Sequence, residues 1–220
     1  MQDKELYQQI LGLASPWTVE SVKLDVEACE ILVKVEHPRG TKLCCPECDK
    51  LLACYDQGEE RRWRHLDTCP FKTILSAKDS RVNCPEHGVK KVSAPWAEGS
   101  SRFTILFERF AIDLLQETKN VKGSMKILSL TWDATWSILE RAVERGKLRK
   151  EASPLPRIGI DEKAFKKAHS YLRMIYDPDN STVEAISEVN ETNAAVAYFP
   201  QLTESQIASV EAIAMDMSSA

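Results

Sequence analysis

No stretch of this 220-residue chain approaches the roughly 18 uninterrupted apolar residues that a membrane span needs. Its start, Met1-Gln-Asp-Lys-Glu, lacks both the basic opening and the apolar run of a secretion signal. The two absences predict a cytoplasmic protein with no membrane partner. A surplus of positive charge is missing as well: 29 basic against 33 acidic residues leave −4, which over the whole chain argues against a nucleic-acid partner. An even cysteine count is the last absence. Seven cysteines without a secretion signal disfavour a disulfide framework and favour metal.

What is present is unevenly placed. Residues 1–40 carry 4 basic and 7 acidic residues, residues 41–150 carry 20 and 15, and residues 151–220 carry 5 and 11. The net charges are −3, +5 and −6, so the middle of the chain has the balance of a phosphate-binding surface. In the same stretch Cys45 and Cys48, in Cys-Pro-Glu-Cys, and Cys84 and His87, in Cys-Pro-Glu-His-Gly, form two ligand pairs. Each pair spaces its ligands so that one tight turn aims both at a tetrahedral ion, which predicts a structural zinc site. Cys44 directly precedes Cys45, so either could be the ligand, with Cys-Pro-x-Cys geometry favouring Cys45. Cys29 reads as a buried small hydrophobe.

The periodicities divide the chain into three parts. Residues 4–13 read as a short helix, followed by period-two alternation in Lys23–Val26 and Glu30–Glu36, hence strands. Between the ligand pairs, Glu60–Asp67 and Lys72–Lys78 read as strands joined by a turn, and Arg61, Arg62 and Arg64 interleave with Trp63. That mix suits either a phosphate-tracking surface or a solvated strand with Trp63 turned inward. After a polar link over 90–101, apolar residues at Phe103, Leu106, Phe107, Phe110, Ala111 and Leu114 predict an amphipathic helix. A second helix is expected over 121–128. A third runs from Trp132 to about Arg145, capped by Thr131, with Trp136, Ile138 and Val143 on its apolar side and Gly146 as its stop. Helices joined this way form either a helix-turn-helix or a plain three-helix unit; in the first case Lys122, Lys126, Arg141 and Arg145 join the β-region arginines as DNA-binding candidates. The proline-broken linker near residue 150 closes this part. Strands follow at Arg157–Glu162, Ser170–Asp177 and Val183–Glu188, then a helix over 192–202 and a buried strand over 210–217. The predicted domains are 1–100, 101–150 and 151–220.

Asp161 ends the first of these late strands and Asp216 the last, and a right-handed crossover would lay the two strands side by side in parallel. Their carboxylates would then suit Mg²⁺, a hard cation that prefers oxygen ligands. Alone, such residues equally well end strands at turns.

The chain resembles the transposases of the ISL-three insertion-sequence family. The matching residues are Cys45-Pro-Glu-Cys48, Arg62-Trp-Arg-His-Leu-Asp-Thr-Cys69, Cys84-Pro-Glu-His-Gly88, Pro95-Trp-Ala-Glu98, Ser101-Arg-Phe-Thr104, Gly159-Ile-Asp-Glu162, Lys163-Ala-Phe165 and Ala214-Met-Asp-Met217. The resemblance implies an α+β multidomain chain: a small zinc-binding β domain, a helix-turn-helix three-helix unit and an RNase H-like α/β domain. It further implies an Asp-Asp-Glu triad that cuts and joins double-stranded DNA at element ends with Mg²⁺, Asp161 and Asp216 being the first two acids. No downstream glutamate matches the third acid before Ala220. The expectation is therefore a transposase truncated within its catalytic domain and catalytically incomplete, with a homodimer left open as its assembly. The alternative is a zinc-containing, sequence-specific DNA-binding protein of repressor type. A zinc-stabilised interaction module without nucleic acid fits the overall acidity.

Overall fold

The computed structural model describes residues 3–166, 170–188 and 198–215. Asp216 and most of the helix expected over 192–202 lie outside them. The chain divides into two compact units, residues 1–145 and 146–220. No helix among the described residues is long and apolar enough to cross a membrane.

In the first unit, helix α1 (Asp3–Ile10) precedes six strands: β1 (Thr18–Asp25), β2 (Glu30–Glu36), β3 (Lys42–Cys44), β4 (Leu51–Arg64), β5 (Lys72–Cys84) and β6 (Gly88–Lys91). They form one sheet in the order β1-β2-β5-β4-β3, with β6 on the far end of β5. β2 shows why the alternation matters, since Ile31, Val33 and Val35 are buried while their neighbours are half-exposed or exposed. β2 and β5 run parallel and the other pairs antiparallel. The strands between the ligand pairs are longer than expected, because β4 and β5 stay paired from Cys54↔Val82 to Arg64↔Ile74.

Trp17, Trp63 and Trp96 close the core. Trp96 meets the other two edge to face at 5.0 and 5.4 Å. Such quadrupole-matched contacts add about 0.5–1.5 kcal/mol per pair beyond simple burial. The link over 90–101 is thus not merely polar: its Trp96 and Ala97 complete the core. Cys29 is corrected from buried to exposed. It ends the four-residue β1–β2 turn at φ +52°, where the Asp25 carboxylate accepts from the Ala28 N–H.

The three expected helices are α2 (Ile105–Thr118), α3 (Val121–Ile127) and α4 (Trp132–Arg149). Each starts at a side-chain oxygen that takes a free N–H: Thr104 from Phe107, Asn120 from Gly123 and Thr131 from Ala134. Phe107, Ala111, Leu128 and Ile138 form their shared core. Gly146 does not stop α4. A glycine costs a helix only about 1 kcal/mol, and the helix-forming Glu144, Arg145, Lys147 and Leu148 around it carry the helix on to Arg149.

The second unit is built on a four-stranded sheet, β10-β7-β8-β9, from β7 (Arg157–Lys166), β8 (Ser170–Asp177), β9 (Thr182–Glu188) and β10 (Ala212–Met215). β7, β8 and β9 are an antiparallel meander, whereas β10 returns parallel to β7. A short helix, α5 (Glu204–Ser209), precedes β10 and opens on a capping box at Thr203 and Gln206. Leu155, Ile158, Ile175 and Tyr198 are buried together. The apolar pattern predicts a buried last strand, but Ala212–Met215, at the edge of the sheet, is exposed: among the described residues nothing covers its faces. Gly159 faces Tyr176 across the β7–β8 ladder, and a Cβ there would fall 2.2 Å from the tyrosine ring. The ring therefore occupies the space that any larger residue needs.

Candidate metal centre and nucleic-acid interface

The first ligand pair sits in the turn between β3 and β4. The Cys45 N–H donates to Lys50 O and the Asp49 N–H to Cys45 O, with Asp49 at φ +56°. The second pair sits in the turn between β5 and β6, where Cys84 pairs with Gly88, whose φ of +69° suits glycine. The two turns bring Cys45, Cys48, Cys84 and His87 together, with all four ligand atoms within 4.8 Å of one another. Individual separations are 3.8 Å for Cys48 Sγ to Cys84 Sγ, 3.5 Å for Cys84 Sγ to His87 Nδ1 and 3.9 Å for Cys45 Sγ to His87 Nδ1. A tetrahedral zinc ion with its usual Zn–S and Zn–N bonds requires ligands roughly 3.5–3.8 Å apart, so the cluster fits that ion.

Cys45 is fully buried and Cys44, on the opposite side of the strand end, is exposed. Cys45, not Cys44, is the one that joins the cluster. The Glu86 N–H, aided by His87, holds the Cys84 thiol down to about 6 against the effect of burial. For Cys48 a backbone hydrogen bond at Lys50 acts downward, but burial and the Cys45 and Cys84 sulfurs outweigh it and push the thiol up. A bound cation would hold both as thiolates. Lys50 pairs with Glu86, and Lys90 with Glu47 at 3.2 Å, so each turn's glutamate meets a lysine from the other side of the site.

Next to this sheet, the arginine-rich end of β4 is fastened to the helical unit. The Arg64 N–H donates to Arg102 O at 2.8 Å, the Thr104 N–H to Arg64 O at 3.0 Å, and the Ile105 N–H to Trp96 O at 2.8 Å. The buried His65 Nδ1 lies 2.9 Å from Thr104 Oγ1. Because that oxygen already accepts from Phe107 N–H at the helix cap, its own O–H is free to donate to His65, which suits a neutral ring. Burial, with Arg64 alongside, lowers the His65 pKa to about 4.

A second fastening centres on Glu108, a carboxylate only 4% exposed. It accepts from Ser101 Oγ at 2.6 Å, from Arg141 at 2.6 and 3.2 Å and from Arg145 at 3.3 Å, and Arg145 also reaches Glu98 at 2.7 Å. A buried carboxylate is tolerated only when paired and hydrogen-bonded in this way.

These contacts separate the DNA-binding candidates. Arg61 lies over the Trp63 ring and 3.6 Å from Asp79, Arg62 is 3.9 Å from Glu60, and Arg64 pairs with Asp67 and stacks on Phe107. Arg141 and Arg145 belong to the Glu108 network. Lys122 and Lys126 on α3 are exposed and make no ion pair among the described residues. Sequence periodicity also misplaces Trp136. It is exposed and stacked on Trp132, four residues earlier on α4, at 6.1 Å. The signal that could have shown this is the unbroken stripe Trp132, Trp136, Glu140, Glu144, which a buried face would not carry.

In the second unit, β10 pairs with β7 from Ala212↔Arg157 to Met215↔Ile160. Asp161, the next residue on β7, is exposed; Asp216, the next after β10, lies outside the described residues. Glu162 is held by Arg173 across the β7–β8 ladder at 2.5 Å.

Three family profiles match consecutive segments of the chain. Residues 42–87 match the zinc-finger of transposase IS204/IS1001/IS1096/IS1165, residues 92–143 the helix-turn-helix domain of transposase family ISL3, and residues 158–220 the transposase domain of the same family. Among curated relatives, the transposase for insertion sequence element IS1557 of Mycobacterium tuberculosis is 24% identical over 222 residues, covering 98% of this chain and 50% of its own length. The transposase for insertion sequence element IS1001 of Bordetella parapertussis is 25% identical over 222 residues, covering 100% of this chain and 54% of its own length. The chain thus spans about half the length of the curated relatives it matches. No solved structure matches it significantly.

Proposed function

Because the chain belongs to the ISL3 family of insertion-sequence transposases, we propose that it binds duplex DNA at element ends through its zinc-ribbon and helix-turn-helix unit. The second unit then contributes to metal-dependent cutting and joining of that DNA. The observation that carries this reading is the unbroken order of zinc ribbon, helix-turn-helix and transposase segments along one chain. Cys45, Cys48, Cys84 and His87 would hold a structural zinc with no open position, so its role is to brace the two turns rather than to react.

An RNase H-like reading of the second unit is supported by its three-stranded meander with a fourth strand returning parallel to the first. Asp161 follows Ile160, the last β7 residue paired to β10, and Asp216 follows Met215 in the sequence. These are the two acids we assign, and Mg²⁺ bound there would activate the attacking water or 3′-hydroxyl. Glu162 stays outside this pair because Arg173 holds it.

Two measurements test the proposal. Metal analysis is expected to find one zinc per chain, lost in Cys84→Ser; folded wild-type protein free of zinc overturns the metal assignment. In gel-shift titrations with an element-end duplex, affinity is expected to fall linearly on a logarithmic salt scale. Absence of any shift at low salt overturns the DNA assignment.

A further inference from the structure

Trp132 and Trp136 leave 50% and 45% of their surfaces in water, with their rings nearly parallel at 11°. The same unit buries Trp17, Trp63 and Trp96 almost completely. Two indoles held side by side on the outside of a helix form an apolar face without a partner, and such a face marks a contact surface. Its neighbours narrow the choice. Asp133 and Glu140 are exposed beside the tryptophans, while Arg141 and Arg145 are turned to Glu108 and Glu98. The outward face of the first two turns of α4 therefore offers no cation to a phosphate.

The position of this face is the second observation. It lies directly after the short connection from α3 to α4, where the Ser129 φ of +52° reverses the chain. In a helix-turn-helix, the helix after the turn enters the major groove, and its N-terminal residues meet the base edges. Lys122 and Lys126, without an ion pair among the described residues, stand one turn apart on the preceding helix, which crosses the backbone in that arrangement. Thymine carries the one apolar group displayed in the major groove, its C5-methyl. Four residues of α-helix rise about 6 Å, close to two base steps of about 3.4 Å each.

We propose that Trp132 and Trp136 read thymine methyl groups in the major groove, at positions about two base pairs apart, while Lys122 and Lys126 hold the flanking phosphates. This rests on the DNA-binding reading above and adds the chemistry by which a site is chosen. Asp133 and Glu140 sharpen it, since they repel any register that brings phosphate onto the helix face.

The test begins with the zinc-loaded 220-residue chain and a pool of random-sequence duplexes, from which the tightest binders are selected. Each thymine of a selected duplex is then replaced by deoxyuridine, which removes the methyl group and leaves the hydrogen-bonding edges intact. At one or two positions, wild-type affinity is expected to fall about fourfold, the factor for burying a single methyl group. Trp132→Ala or Trp136→Ala should bind the thymine duplex more weakly and ignore the methyl at its own position. Trp132→Phe, which keeps an apolar ring, should retain the discrimination and shows that a loss in the alanine variant is not misfolding. Indifference of the wild type to deoxyuridine at every position overturns the proposal. So does an unchanged affinity of the tryptophan variants accompanied by a change in oligomeric mass, which would assign the face to protein contact. Failure of the wild type to enrich any duplex overturns the DNA-binding reading itself, and is distinguishable because nothing is selected.

Discussion

The arginines of β4 and α4 carry the same charge as the lysines of α3, yet their surroundings differ. Arg64, Arg141 and Arg145 are largely covered, each against a carboxylate, and Arg64 also against an aromatic ring. Lys122 and Lys126 stand in solvent with no carboxylate paired to them among the described residues. Guanidinium groups suit the first role because their planar fork donates two bonds at once, as Arg141 does to Glu108 through Nε and Nη2. A basic middle segment therefore contains two populations: one ties the zinc-ribbon sheet to the three helices, and the other is free to meet an outside anion.

The largest effect that would sharpen this contrast is expected at Glu108. Glu108→Ala removes the carboxylate shared by Arg141 and Arg145; Arg145 keeps Glu98, but the half-buried Arg141 loses its carboxylate and Ser101 Oγ its 2.6 Å acceptor, a loss of about 3–4 kcal/mol in stability. A urea midpoint within error of wild type would show that the network is not structural.

Next comes pH. The His65 pKa is about 4 against an ordinary 6.5, so the ring is neutral in the folded protein at pH 7. The unfolded chain takes up the proton first as pH falls. Stability from this residue is therefore full above pH 6.5, declines between 6.5 and about 4, and levels off below. The loss is about 3 kcal/mol. The wild type minus His65→Gln difference in unfolding free energy, measured across that window, should follow this curve. A flat difference removes the buried neutral histidine from the joint.

The smallest stability effect belongs to the lysines. Lys122→Gln with Lys126→Gln should change the unfolding free energy by less than about 0.5 kcal/mol, as surface substitutions do. The same variant should reduce the salt slope of DNA binding by about 0.9 for each phosphate that is no longer neutralised. A large stability loss, or an unaltered salt slope, would place these lysines with the arginines instead.

Local chemistry was legible in the residues. The Cys-x-x-Cys and Cys-x-x-His spacings picked out the four residues that cluster in the structure, because each pair is brought together by its own turn. The cap at Thr131 and the strand alternation of β2 were legible for the same reason. Long-range pairings were not. Arg141 meets Glu108 across 33 residues and Ser101 across 40, and nothing in the α4 sequence distinguishes an arginine aimed inward from one aimed at solvent. Trp136 reads as core because it is apolar at a helical spacing, whereas the volume beneath α4 is already filled by Thr135 and Ile138.

By itself, the sequence determined the two short Cys/His spacings, the three-helix segment and the run of three strands that opens the second unit. Each follows from short-range periodicity or spacing. Tertiary structure alone decided that Cys45 rather than Cys44 completes the ligand cluster, and that Arg64, His65 and Thr104 form the joint between sheet and helices. It alone decided which cations are paired and which tryptophans stay in water. Those outcomes depend on which side chains compete for the same buried space and the same carboxylates, and that competition is set by residues far apart in the chain.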